Sequence, residues 1–167
     1  MDGSELKEKI GQKRPRYKEK YRSLIESISI KGDSRGKGDY FTFGPIYHTF
    51  MYAFFVGYKL KKCNYIQAKD QTTDFIASFD LIKPASIRDF IIMLLLNETE
   101  NYSIPYSWLE LENANEEMID NFIAELFRQM EGYVNAGFEY LQNKWDNEKI
   151  EFQDPFVFVN FLEELSR

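Results

Sequence analysis

The chain is poor in the residues that build reactive centres. Its 167 residues include one cysteine, Cys63, and one histidine, His48. One cysteine excludes an internal disulfide and fits a reducing compartment. One cysteine with one histidine does not supply the usual ligands of a zinc site, and no carboxylates stand at calcium-loop spacing. Long apolar runs are missing too: a stretch such as residues 90–96 falls far short of the ~20 residues that span a bilayer. Residues 1–22 are densely charged, so no secretory leader is expected, and the sequence reads as cytoplasmic without a membrane partner.

Aromatic residues are abundant. Fifteen Phe and eleven Tyr raise the aromatic share to 17%, which supplies large buried area per residue and argues against disorder. A chain of this length is one ordinary domain. There is no internal repeat and no low-complexity tract.

Charge is split along the chain. Residues 1–70 carry 15 Lys and Arg against 8 Asp and Glu, a net of +7. Residues 71–167 carry 6 against 19, a net of −13. The densest basic stretch holds Lys13, Arg14, Arg16, Lys18, Lys20 and Arg22, with Tyr17 and Tyr21 between them. Such a split suits a nucleic-acid face, or a bipolar protein that docks on partners of opposite charge or on itself.

The hydrophobic periodicity predicts an all-α protein: an orthogonal bundle of about five helices, with room for one small hairpin. Residues 1–14 read as a flexible tail and 15–167 as a single helical domain. Pro15 suits a first helical position, and Tyr17, Tyr21, Leu24, Ile25 and Ile28 follow at helical spacing, so residues 15–30 are expected to form an amphipathic helix with a basic outer face. Residues 31–39 are a glycine-rich loop. Residues 46–60 are apolar nearly all round and form the buried central helix. Residues 64–83 are ambiguous between a strand and an irregular segment. Pro84 opens a third helix to residue 97, with Ile87, Phe90, Ile91, Leu94 and Leu95 expected inside. Residues 101–112 read as a loop. The longest helix runs over 113–147, where Gly132 and Gly137 predict a kink or a close helix contact. Asp154 and Pro155 cap a last helix.

No candidate for catalysis stands out. The loop 31–39 is no phosphate-binding loop: Gly32 and Gly36 have three residues between them rather than four, and Gly38 stands where Ser or Thr belongs. Cys63 near Lys61 and Lys62 has no evident base, and His48 reads as a core or rim histidine. The carboxylates Glu110, Glu112, Glu116, Glu117, Asp120, Glu163 and Glu164 read as a solvated acidic surface. No nucleophile, base and orienting group form a set, so no enzyme, no cofactor and no metal are expected. The candidate binding residues are Arg14, Arg16, Tyr17, Lys18, Lys20, Tyr21 and Arg22, contacting a protein partner, a second copy, or DNA phosphates.

Three segments carry a resemblance: FMYAFFVGYK at 50–59, SIRDFIIMLLLN at 86–97 and EGYVNAGFEYLQNKW at 131–145. They resemble the Dnd-associated proteins, small prokaryotic proteins encoded beside DNA phosphorothioation and restriction genes. Gly57, Tyr58 and Lys59 match the end of that family's Ala-rich helix, and Asn135, Ala136 and Gly137 match its later turn loosely. The resemblance covers about half the chain, excluding the basic N-terminus and the Phe-rich C-terminus, and the family brings no catalytic residues. It implies an accessory role in DNA modification or antiphage defence, through contacts with proteins or DNA. The expected function is therefore a non-enzymatic accessory protein docking through a basic helix and an acidic C-terminal surface. The alternative is a nucleic-acid-binding protein that uses residues 15–30 on phosphates.

Overall fold

The computed structural model describes residues 3–30, 43–104 and 106–166, and for Trp108 the backbone alone. The glycine-rich loop at 31–39 lies outside the described residues. The fold is mostly helical, with two small strand pairs. The helices are α1 (Gly3–Gly11), α2 (Arg22–Ile28), α3 (Ile46–Leu60), α4 (Ala85–Leu96), α5 (Trp108–Glu112), α6 (Glu116–Asn147) and α7 (Val157–Glu164). The strands are β1 (Arg16–Lys18), β2 (Ser29–Ile30), β3 (Gly44–Pro45) and β4 (Thr72–Asp74). Among the described residues this is seven helices where about five are expected. The strand pairs are not a local hairpin: β1 runs antiparallel to β4, Tyr17 opposite Thr73, and β2 runs parallel to β3.

The centre is the pair α3–α6. On α3, Ala53 and Gly57 lie one turn apart; on α6, Tyr133 and Gly137 do the same. A Cβ placed on Gly57 would meet the Tyr133 carbonyl oxygen at 1.9 Å, and one on Gly137 would meet the Ala53 oxygen at 1.9 Å. The two helices therefore run antiparallel with their backbones in direct contact, which only glycine permits. Gly132 is less strict, since its Cβ would face the Tyr65 ring and the Cys63 side chain. The expected close contact is thus found, within one unbroken helix of 32 residues.

Rings fill the space around this contact. Phe54 and Tyr58 of α3 lie 5.8 and 5.3 Å from the Tyr133 ring. Phe50, Phe75, Phe138, Tyr17 and Tyr21 form a second cluster, with centroids 4.6–6.3 Å apart in mostly edge-on or tilted pairs, the geometry that ring quadrupoles favour. A third cluster joins Trp145, Phe152, Phe158 and Phe161 and docks α7. There the Tyr52 hydroxyl donates to the Phe158 carbonyl at 2.7 Å.

Several expectations are corrected. The stretch read as a flexible tail contains α1, which buries Ile10 and half-buries Leu6. Residues 15–30 are not one helix. They form β1, a 3-10 turn at Glu19–Tyr21, the short α2 and β2, because β4 and polar groups on α6 capture the backbone of residues 15–19. The loop 101–112 contains α5, opened by a capping box between Ser107 and Glu110. There Tyr102 is buried, while Ile104 and Leu109 are exposed. Helix α7 starts at Val157 rather than at Pro155. Asp154 still holds its entrance, accepting from the Phe156 amide at 2.8 Å and from Asn160.

Gly57→Ala and Gly137→Ala should each destabilise the fold by about 3 kcal/mol or more, since backbone rather than a movable side chain meets the new methyl. Gly3→Ala, with nothing within 4 Å of the added carbon, should stay within about 0.5 kcal/mol of the parent. Denaturant unfolding of the three variants checks both statements.

Candidate functional site

The basic segment enters the core instead of standing free. Strand β1 uses one edge for β4, and the ladder continues at both ends, from the Phe75 amide to the Pro15 carbonyl (2.7 Å) and from the Glu19 amide to the Gln71 carbonyl (2.9 Å). Alternation in an antiparallel pair turns the Arg16 and Lys18 amides the other way. They would form an open edge, but α6 supplies acceptors. The Arg16 amide donates to Glu131 Oε1 at 2.8 Å, and the Lys18 amide to Asn135 Oδ1 at 2.9 Å. Glu131 and Asn135 stand one helical turn apart and match the two-residue repeat of the strand. Asn135 Nδ2 donates back to the Glu131 carbonyl at 2.7 Å, which fixes the amide's orientation.

The Arg16 guanidinium adds two bonds to the same carboxylate, each 3.1 Å. Glu131 is 3% exposed. Burial pushes its carboxyl above the usual range, and the three contacts from Arg16 pull it only part of the way back. Lys18 is 7% exposed, and its ammonium reaches Asn64 at 2.6 Å and Asp70 at 3.0 Å. Arg14 faces Asp74 at 3.6 Å, and Arg22 faces Glu19 at 2.6 Å and Glu26 at 3.6 Å. Lys20 is exposed and lies over the Tyr21 ring, 4.8 Å from its centroid, with no acidic partner among the described residues.

The seven residues singled out in sequence thus do not share a helix face. Tyr17, Lys18 and Tyr21 are interior, Arg16 has its charge answered by a buried carboxylate, and Arg14, Lys20 and Arg22 are at the surface. Glu131 and Asn135 escape a periodicity reading because they sit inside the apolar stripe of α6. Two polar residues at i and i+4 within such a stripe are the signal that could have found them.

Gln129, also buried, accepts from the Tyr65 hydroxyl at 3.0 Å and from the Cys63 thiol at 3.7 Å. Arg128 lies over the Tyr65 ring at 4.1 Å and bonds Glu125 and Ser103. Burial pushes the Cys63 thiol up, the opposite of what an activated nucleophile needs. This cluster clamps the segment after α3 and the Ser103 loop onto α6. His48, on α3, packs edge-on against Tyr47. Among the described residues no three or more His, Cys, Asp or Glu are grouped to hold a metal, no buried side-chain nitrogen or oxygen lacks a partner, and no helix is long and apolar enough to cross a membrane.

The surface feature that stands out is apolar. Helix α4 carries eight large apolar residues in twelve, yet buries only Ile91 and Leu95. Ile87, Phe90 and Met93 are exposed, the last two at 45% and 48%. The inner face expected from sequence is therefore rotated: Ile87 and Phe90 point out. Phe90 stacks on Phe55 of α3 at 6.1 Å. Beside it runs a groove of about 500 Å³, lined among others by Met51, Tyr52 and Phe55 of α3, Pro84 and Ile87 at the start of α4, and Leu162 of α7.

Comparison with protein-family models, with curated proteins and with solved structures finds no match.

Asn135→Ala leaves the buried Lys18 amide without an acceptor and should cost about 1–3 kcal/mol, with faster hydrogen exchange at that amide. The raised Glu131 carboxyl has a definite sign: the folded state resists its ionisation, so its contribution is full below the ordinary glutamate range and is lost as pH rises through the raised value. Glu131→Gln cannot ionise. Its unfolding free energy relative to the parent should therefore climb as pH rises above the ordinary glutamate range, as read from denaturant unfolding at a series of pH values.

Proposed function

We propose that the chain is a non-enzymatic interaction protein that works by docking another protein on the exposed face of α4 and the groove beside it. One observation carries this reading: α4 leaves Ile87, Phe90 and Met93 exposed on one stripe, while Ile91 and Leu95 are buried and Ile92, Leu94 and Leu96 pack against the core. A contiguous exposed apolar stripe next to a groove is what interaction sites present and what isolated monomers avoid. The acidic and basic groups support binding over catalysis, since most of those near the core are paired with each other. In this reading the chain is an accessory protein of the prokaryotic cytoplasm, in a DNA-modification or antiphage defence system. For that setting the support is the resemblance of residues 50–59, 86–97 and 131–145 to the Dnd-associated proteins. Contact with nucleic acid through residues 15–30 is disfavoured, because Tyr17, Lys18 and Tyr21 would have to leave the core to stack on bases or reach phosphates.

A photo-crosslinking amino acid in place of Phe90 or Met93, in the protein expressed in its own cells, tests the reading. Protein adducts are expected from both positions and not from Asn143, an exposed site on α6. No adduct at either α4 position, or adducts to nucleic acid alone, would overturn it.

A further inference from the structure

We infer that the occupant of the α4 face is a second copy of this chain, with the two α4 helices antiparallel about a twofold axis between Phe90 and Met93. The inference rests on the docking reading above and names the partner. Three observations point to it.

The first is that ridge and groove are neighbours on one surface. Phe90 projects beside a groove that already touches Ile87 and Phe55. A twofold interface uses the same patch on both copies, so each must supply both a projection and its receptor. This patch does. Crossing between Phe90 and Met93 sets Phe90 of one copy against Met93 of the other, once on each side of the axis.

The second is the placement of charge. Lys83 stands just before α4 and Glu100 just beyond it, in the 3-10 turn Thr99–Asn101. Both are exposed, and neither enters an ion pair among the described residues. An antiparallel pairing centred between Phe90 and Met93 brings each Lys83 opposite the other copy's Glu100, twice over by symmetry.

The third is the helix dipole. A cation at the N-terminal end and an acid past the C-terminal end oppose the dipole of α4, and its first and last turns contain no charge that offsets this. An antiparallel neighbour reverses the situation, because its carboxyl end and its Glu100 come to rest beside Lys83. A partner lying parallel would bring like charges together instead.

Light scattering on the purified full chain, over about 1–100 µM, should give a mass of twice 19.9 kDa. Phe90→Glu should weaken association by more than about 100-fold while leaving far-UV circular dichroism unchanged, since Phe90 lies largely outside the core. Lys83→Glu alone and Glu100→Lys alone should each weaken it roughly threefold to tenfold. The double exchange Lys83→Glu with Glu100→Lys should restore it, because both symmetric contacts are re-formed with signs reversed.

A monomer at every concentration overturns the inference. If crosslinks from position 90 then reach a different protein, the docking reading stands without it; if there are none, both fall. A dimer that Phe90→Glu does not disturb overturns the α4 interface. A dimer lost with Phe90→Glu but not rescued by the double exchange overturns the antiparallel pairing.

Discussion

The contact between the backbones of α3 and α6 constrains everything else in the molecule. Ala53 lies against Gly137 and Gly57 against Tyr133, and at neither glycine is there space for even a methyl group. Contact at this range brings two helical backbones close enough for dense dispersion contacts along the crossing. It also fixes rotation and register together, because a slip of one residue on either helix would put a side chain into a carbonyl. Once register is set, the rings that flank the contact have no freedom left: Phe54, Tyr58 and Tyr133 on one side, Phe50 and Phe138 on the other.

The same register decides what α6 offers to the rest of the chain. With Tyr133 and Gly137 turned to α3, residues 129, 131 and 135 face flanking segments that lack regular helix. Each supplies a polar group where such a segment needs one. Gln129 holds Tyr65, Glu131 holds the Arg16 amide and guanidinium, and Asn135 holds the Lys18 amide. A helix side chain here substitutes for a neighbouring strand. That is why β1, part of a two-stranded ribbon marginal by itself, can bury Tyr17 and Lys18 against α6 without orphaned amides.

How much of this is legible in sequence depends on whether the deciding contact is local. Helix α3 is apolar nearly all round, and 3.6-residue periodicity finds it at its observed bounds. Asn115 and the acids after it mark the start of α6 within a few residues. Gly132 and Gly137 announce a close contact, though not which partner makes it. Residues 15–30 mislead, because Tyr17, Tyr21, Leu24 and Ile28 satisfy helical spacing while the backbone of 16–18 is claimed by residues more than fifty positions away. Local spacing cannot show that competition. Helix α4 misleads differently: with eight apolar residues in twelve, many rotations give a plausible inner face, and only the tertiary structure shows that Ile91 and Leu95 are the ones buried. The candidate site was therefore half legible. Its helix was found, and its exposed face was not.

The division of charge, a basic first half and an acidic second half, suggests a surface waiting for something of opposite sign. In the folded chain much of that opposite sign is its own. Lys7 meets Asp89, Lys9 meets Glu116 and Asp120, Arg14 meets Asp74, and Arg16 meets Glu131. Each pair joins the N-terminal part to the later helices or to β4. Exposed pairs of this kind contribute little free energy apiece, so their effect is to select which way α1 and β1 lie on α6; only the pair ending on buried Glu131 is desolvated. Charge thus serves folding specificity within one chain, and the segment richest in Lys and Arg lends Tyr17, Lys18 and Tyr21 to the core. What the fold leaves unanswered is apolar: the ridge of Ile87, Phe90 and Met93 on α4. Burying that ridge is favourable in any salt, since the hydrophobic term scales with area and is indifferent to screening. An association built on it would be held by α4 itself, with the charges at its ends fixing only direction.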